Sequence, residues 1–346
     1  VTLLPITLLV GELQEVFMTK LILTLIIAAL LGGSASTLGQ TASLPKGPLE
    51  KTGMTGETAS TRTPRPASES VTKARRFWFF GTLSNVFDSN IEQEPQGLRS
   101  SGYVAGMGFH FQNSTEKPSF AIEYEAGLHR YTNTDKWNRV SHSLTTSYKR
   151  HLFGRWYART TGELALRGSS EDRELNNQYL LGQQIEYRPT ANIRLIGFAA
   201  YRLKRDPLDP GKNSIDPYIG AKFVQRLRGE RKWELGYRND HNRSWDARNR
   251  YVRWSYGAQF ETPLFQRDRL TFEASYRPRL FARTVKVDGA RVPRRDQRWG
   301  FGVLWERPLN QRVTMGVFYR FEKRLSNNPE KRYNEHQPGL HFTYRW

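Results

Sequence analysis

Three short stretches carry residue types that do chemistry in other settings. Asp240-His241 sets a carboxylate beside an imidazole, a pairing that activates water. Ser141-His142-Ser143 sets an imidazole between two hydroxyls, the parts of a nucleophile and its base. Gly102-Tyr-Val-Ala-Gly-Met-Gly108 has the glycine density of a phosphate-binding loop. Each weakens against its surroundings. On a strand, neighbouring side chains point to opposite faces, so His142 turns away from both serines. The glycine stretch leads into no helical pattern and better serves to relieve crowding on a curved sheet. Asp240 and His241 fall in an expected outer loop, Asp240 to Asp246, with no second carboxylate beside them. The 7 histidines show no metal-ligand spacing, and the absence of cysteine removes disulfides, thiolate metal sites and a thiol nucleophile. The reading is a chain that is not an enzyme, with no catalytic set, no metal and no cofactor. A rim site at Asp240 and His241 is the third alternative for its function.

What remains is charge. Lys and Arg number 53 against 33 Asp and Glu, a formal charge of +20. The charged residues recur at every second position. Arginines Arg159, Arg194, Arg202, Arg238, Arg253, Arg277, Arg279, Arg298, Arg320 and Arg324 share their faces with Glu125, Glu163, Glu186, Glu234, Glu273, Glu306 and Glu322. The intervening positions are apolar. Val313, Met315, Val317, Tyr319 and Phe321 form one such row; Trp299, Phe301, Val303 and Trp305 form another. Phe120, Ile122, Tyr124, Ala126 and Leu128 form a third, Ile193, Leu195, Gly197, Ala199 and Tyr201 a fourth. A period of two over so many segments means β-strands with one apolar and one charged face. Hydrocarbon sorts residues this way, because a Lys or Arg at mid-bilayer on a barrel costs about 2–4 kcal/mol. The same dealing of cations to one face of every strand, with no basic patch, argues against nucleic acid as a partner.

Connections alternate in kind. Tight ones are expected at Asn113 to Pro118, Leu152 to Arg155, Pro189 to Asn192, Arg228 to Lys232, Pro263 to Asp268 and Pro308 to Arg312. Longer ones are expected at Asn90 to Ser100, Thr132 to Trp137, Ser169 to Leu175, Asp206 to Ser214, Asp240 to Asp246, Val287 to Asp296 and Asn327 to Asn334. Short turns face the periplasm and long loops face outward in transmembrane barrels. The fold expected is all-β: a transmembrane antiparallel up-and-down barrel of about fourteen strands over residues 76–346. In front of it, Met18 to Ser36 has one lysine, an apolar core and small residues, the form of a secretory signal peptide. We expect 1–36 to be that signal, with the true start at Met18, and 37–75, rich in Ser, Thr, Pro and charge, to be a disordered linker.

The last strand, Gly339 to Trp346, alternates to its final residue and must pair with the first, since lipid satisfies no free edge. The run Gln337-Pro-Gly339-Leu-His-Phe342-Thr-Tyr344, followed by Trp346, resembles the C-terminal signal of outer-membrane β-barrel proteins. That resemblance implies recognition by the barrel-assembly machinery through Gln337, Gly339, Phe342, Tyr344 and Trp346. A second stretch, Val86-Phe-Asp-Ser-Asn-Ile91, resembles one near the first strand of several outer-membrane barrel families. These include porin-like barrels associated with exopolysaccharide export and the barrel of surface lipoprotein assembly modifiers, which have Tyr where Phe87 stands. The assembly modifiers also carry helical repeats before the barrel, where this chain has only the short linker. The resulting expectation is an outer-membrane, porin-like channel for small solutes, with a cationic lumen that favours anions or acidic saccharides. The alternative is a barrel for lipoprotein assembly or exopolysaccharide export. Its partners would be outer-membrane lipid, the assembly machinery and the solute or polysaccharide. The polypeptide without its signal should unfold or aggregate when detergent is removed; a sharp, soluble, folded species by circular dichroism in plain buffer would overturn the lipid-facing assignment.

Overall fold

The computed structural model describes residues 76–113, 118–134, 138–169, 175–207, 209–265, 267–287 and 289–346; the expected signal and linker, 1–75, lie outside them. Fourteen antiparallel strands follow one another in sequence order: β1 (Arg76–Asp88), β2 (Ser100–Gln112), β3 (Ser119–Tyr131), β4 (Arg139–His151), β5 (Trp156–Ser169), β6 (Leu175–Tyr187), β7 (Ile193–Arg205), β8 (Ser214–Arg226), β9 (Lys232–Ser244), β10 (Tyr251–Leu264), β11 (Asp268–Val287), β12 (Ala290–Pro308), β13 (Val313–Ser326) and β14 (Tyr333–Arg345). Each pairs with its neighbours and β14 pairs with β1, so the sheet is a closed up-and-down barrel.

Alternation fixes the two faces. Leu83, Met107, Leu181, Ile219, Leu235, Phe301, Val317, Leu340 and Phe342 all point outward and are exposed. So much exposed apolar surface is the mark of a wall that meets lipid. Aromatic stacks edge this band at both ends. Trp156 on Tyr187 (4.6 Å) and Trp233 on Phe260 (4.6 Å) lie toward the tight turns, and Tyr276 on Trp299 (3.9 Å) lies toward the long loops. Such girdles sit where hydrocarbon meets headgroup. Inward positions are mostly polar; the inward apolar residues include a cluster of Ile196, Phe198, Ala200, Tyr218 and Val224 on β7 and β8, backed by Leu180, and separate residues such as Phe80, Val86, Val104 and Phe318.

Two of the expected loops are wrong. The segment Asp240 to Asp246 is strand as far as Ser244. The segment Val287 to Asp296 is almost all strand, because β11 and β12 run 20 and 19 residues and rise above their neighbours. Neither segment carries a sustained apolar row on one face, which reads as loop; they are strands that have left the hydrocarbon.

Closure joins the first and last strands in register from Phe80 with Arg345 to Val86 with Gly339. The chain end is held by its backbone: Phe79 N–H donates to Trp346 O (3.3 Å) and Trp346 N–H to Phe79 O (3.2 Å). The Trp346 ring stacks on Phe79 at 6.1 Å. The two motifs singled out in the sequence meet at this seam. Gln337 Nε2 donates to Asp88 Oδ2 (2.7 Å), Asn90 Nδ2 to Asn334 O (3.3 Å), and His336 N–H to Ser89 Oγ (2.7 Å). Asp88-Ser89-Asn90 is therefore a clasp for the last strand.

Two glycines let inward aromatics lie flat on the wall. A Cβ at Gly339 would come 2.3 Å from the Phe318 ring, and one at Gly220 would come 2.3 Å from both the Phe198 ring and Tyr237 O. Gly197, on the outer face, has nothing within 4 Å of such a Cβ. Gly220→Val should cost about 1–3 kcal/mol by forcing Phe198 off the wall, whereas Gly197→Val should stay within about 0.5 kcal/mol. Urea unfolding of barrels in liposomes, followed by tryptophan fluorescence, compares the two.

Candidate functional site

The inner face toward the long loops carries the densest chemistry. Four cations, Arg202 and Lys204 on β7, Arg238 on β9 and Arg253 on β10, converge on two carboxylates, Asp216 on β8 and Asp240 on β9. Asp240 accepts from Arg238 Nε (3.0 Å), Arg253 Nη2 (3.2 Å) and Arg202 Nη2 (3.3 Å). Asp216 accepts from Arg202 Nη2 (3.2 Å), Ser214 Oγ (2.9 Å) and Asn242 Nδ2 (2.6 Å), and Lys204 Nζ lies 3.2 Å away. Tyr218 lies beneath Arg238 (5.1 Å) and Arg202 (5.7 Å), and Tyr251 beneath Arg279 (4.3 Å). Arg238, Asp216 and Asp240 are each 0% exposed. Above the cluster, the β9–β10 loop is tied by Asp246, which accepts from Arg248 Nε (3.0 Å) and Arg248 N–H (2.9 Å). The Arg248 side chain is the main reason that its carboxyl stays below the usual carboxylate range.

The same pattern repeats around the wall. Glu322 takes Arg277 (2.9 Å) and Arg298 (3.5 Å), together with the Tyr333 hydroxyl. Asp296 takes Arg294 (2.6 Å), Arg324 Nε (3.1 Å) and Ser326 Oγ (2.7 Å). Toward the tight turns, Glu186 sits between Lys149 (2.5 Å) and Arg188, and Glu234 between Lys222 and Lys232 (2.9 Å). Again and again one carboxylate serves two or more cations. Alternation permits this, because inward positions on adjacent strands stand side by side across the ladder.

All the arginines and glutamates picked out by spacing lie on inward positions. Arg202, Arg238, Arg253, Arg277, Arg279, Arg298, Arg324, Glu125, Glu186 and Glu322 are buried. Arg159, Arg194, Arg320, Glu163, Glu234, Glu273 and Glu306 are half-buried. Arg320 lies over the Phe318 ring at 4.9 Å, and Glu306 is 3.7 Å from His341. Sequence reasoning missed Lys204, Asp216, Arg294 and Asp296, and took Asp240 for a loop residue. Continuing the period of two past the last apolar residue of each strand would have found them.

The rim pair is corrected by the structure. Asp240 points inward into its cluster, while His241 points outward and meets Asn239 Oδ1 at 2.7 Å. The serine stretch divides in the same way: His142 meets the Tyr124 hydroxyl (2.9 Å) outside, and Ser141 meets His129 (3.3 Å) inside. Among the described residues, no group of three or more His, Asp or Glu is arranged to hold a metal.

Asp240→Ala would leave Arg202, Arg238 and Arg253 buried around a missing charge, a loss of about 3–5 kcal/mol. Lys212→Ala, at an exposed loop pair with Asp209 (3.3 Å), should change stability by less than about 1 kcal/mol. Urea midpoints in liposomes test both; equal midpoints would refute the structural weight given to Asp240.

No protein-family model matches the chain, and no curated protein matches it. Solved structures do. The outer membrane channel DcaP of Acinetobacter baumannii aligns at 9% identity over 79% of this chain and 97% of that one, with a TM-score of 0.50. An anion-selective porin from Comamonas acidovorans aligns at 9% identity over 79% and 100%, TM-score 0.47. OmpT, an outer membrane protein of Vibrio cholerae, aligns at 9% identity over 80% and 99%, TM-score 0.46. The sequence reading that the chain is not an enzyme is withdrawn: a likeness at 9% identity shows a barrel fold alone and leaves catalysis open. With its closed wall, apolar exterior and aromatic girdles, this chain has the fold of an outer-membrane, porin-like β-barrel.

Proposed function

We propose that the barrel is a diffusion channel whose inner wall favours small anionic solutes, acidic saccharides among them. The observation that carries this reading is the sharing of carboxylates. Asp216 and Asp240 serve Arg202, Lys204, Arg238 and Arg253, and Glu322 serves both Arg277 and Arg298. Such sharing leaves positive charge in excess along β7–β13, and a wall of one sign raises the local concentration of the opposite ion. The buried cations set the background potential. The half-buried Arg159, Arg194 and Arg320 are the ones a passing solute would meet most closely. The aromatics Tyr218, Tyr251 and Tyr333 are covered by guanidinium groups, so the inner surface near them presents charge rather than rings. Delivery to the membrane belongs to the same proposal: the barrel-assembly machinery reads Gln337, Gly339, Phe342, Tyr344 and Trp346 before the strand is sealed into the wall.

Planar-bilayer recordings across a KCl gradient should give stepwise conductance with a reversal potential on the chloride side. Arg194→Glu with Arg320→Glu should move that potential toward potassium without abolishing conductance. A folded barrel that conducts nothing would end the channel reading; unselective current in the unaltered protein would end the anion preference alone.

A further inference from the structure

Among the described residues, the tall hairpin of β11 and β12 is the part of the wall that rises furthest above the aromatic girdle. Its outer face changes character with height in a definite order. Phe301 beside Ala274 comes first, then the Trp299–Tyr276 stack, then Gln297 beside Pro278, then Arg295 beside Leu280. Above them come Pro293 beside Thr284 and, highest, Arg291 directly opposite Lys286. The register slips between Leu280 and Thr284, and the extra residues lie on β11, so β12 keeps its alternation and Arg291 stays on the face of Arg295 and Trp299.

Arg291 and Lys286 are exposed like charges set directly across a ladder, an arrangement that destabilises a hairpin unless something offsets it. Lys323, on the outer face of β13 and opposite Trp299, adds a further exposed cation beside the stack. Among the described residues, no carboxylate lies on the outer face of β11, β12 or β13 above Trp299. This differs from the inner wall, where every cluster is built around an acid.

Strand geometry gives the heights. At about 3.3 Å per residue, Arg295 stands roughly 13 Å and Arg291 roughly 26 Å along the strand from Trp299. A barrel tilt of about 40° reduces these to roughly 10 and 20 Å along the membrane normal. The first height is that of a lipid headgroup, and the second is well beyond a simple phospholipid. We propose that the outer face of this hairpin binds a phosphorylated glycolipid of the outer leaflet. Lys323 and Arg295 would meet phosphates at the base of its saccharide, and Lys286 with Arg291 would meet anionic groups carried higher in it. Guanidinium and ammonium groups bind phosphate strongly, and basic residues at a membrane surface add to one another.

The full chain, refolded in detergent and placed in nanodiscs, tests this with three probes: rough lipopolysaccharide carrying core phosphates, the same material dephosphorylated, and phosphatidylglycerol. Phosphorylated lipopolysaccharide should bind at least about tenfold more tightly than either of the others. The triple variant Lys286→Gln, Arg291→Gln, Arg295→Gln should lose that advantage. The charge-preserving set Lys286→Arg, Arg291→Lys, Arg295→Lys should keep it, and Arg150→Gln at the opposite end should bind as the parent does. Unchanged heat-modifiable migration on gels confirms that each variant is folded. Equal binding by the triple variant and the parent would overturn the proposal. Phosphatidylglycerol matching lipopolysaccharide would overturn the two-height glycolipid, and full competition by inorganic phosphate would make free phosphate rather than lipid the ligand.

Discussion

A sheet that crosses hydrocarbon has no edge to spare. Every N–H and C=O must find a partner within the protein, because the surrounding medium offers none. That constraint explains why the alternation runs to the last residue and why β14 returns to β1. It also explains why so much recognisable sequence gathers at one seam. Asp88, Ser89 and Asn90 hold Gln337, His336 and Asn334 from the side of β1, while the backbones of Phe79 and Trp346 exchange hydrogen bonds at the other end. The long-range pairing of first and last strands carries the greatest loop-closure cost in the fold. Fixing it with specific side-chain contacts at one end and a ring stack at the other gives the barrel a single register.

Closure also decides where charge is placed. A barrel that excludes ions from its outer wall must direct its Asp, Glu, Lys and Arg inward, and there they crowd. Burial of an unpaired ion is costly, so the inner wall is organised around acids. Asp240 alone gathers Arg202, Arg238 and Arg253, each held again by Tyr218 or Tyr251 beneath. With cations in excess, each carboxylate has to be shared. Shared carboxylates lock several strands to one another and leave residual positive charge, so the stiffness of the wall and its electrostatic bias have one cause.

How much of this is legible in sequence depends on depth in the membrane. Between the girdles, every strand announces itself, since Val313 to Phe321 or Ile193 to Tyr201 can alternate only if one face meets lipid. The inward arginines and glutamates follow from the same parity, and all of them lie inward. Outside the girdles the signal fades, because both faces of the strand meet water or headgroups and nothing sorts them. Asp240-His-Asn-Arg-Ser244 has turn-forming residues and no apolar row, so it reads as a loop, although it is the upper third of β9. The same loss of contrast hides Asp296 and the rise of β11 and β12. Which cation each acid holds lies beyond parity. It depends on the stagger between strands, which brings Arg202 of β7 to Asp240 of β9 across the intervening β8.

One residue type thus takes two roles according to an even or odd position. On β12, Arg294 and Arg298 turn inward and are held by Asp296 and Glu322, while Arg295, one position along, turns outward above Trp299 with no described acid on its face. The chemistry of the guanidinium is the same in each case; the environment at each height differs. Inside the barrel, low dielectric and neighbouring rings favour fixed pairs with acids from the same chain. On the outer face of the β11–β12 hairpin above Trp299, no described carboxylate supplies that countercharge. A slip of one residue in register would exchange the two sets, placing unpaired cations against hydrocarbon and apolar rows in the lumen. The seam that fixes the register therefore protects both faces together.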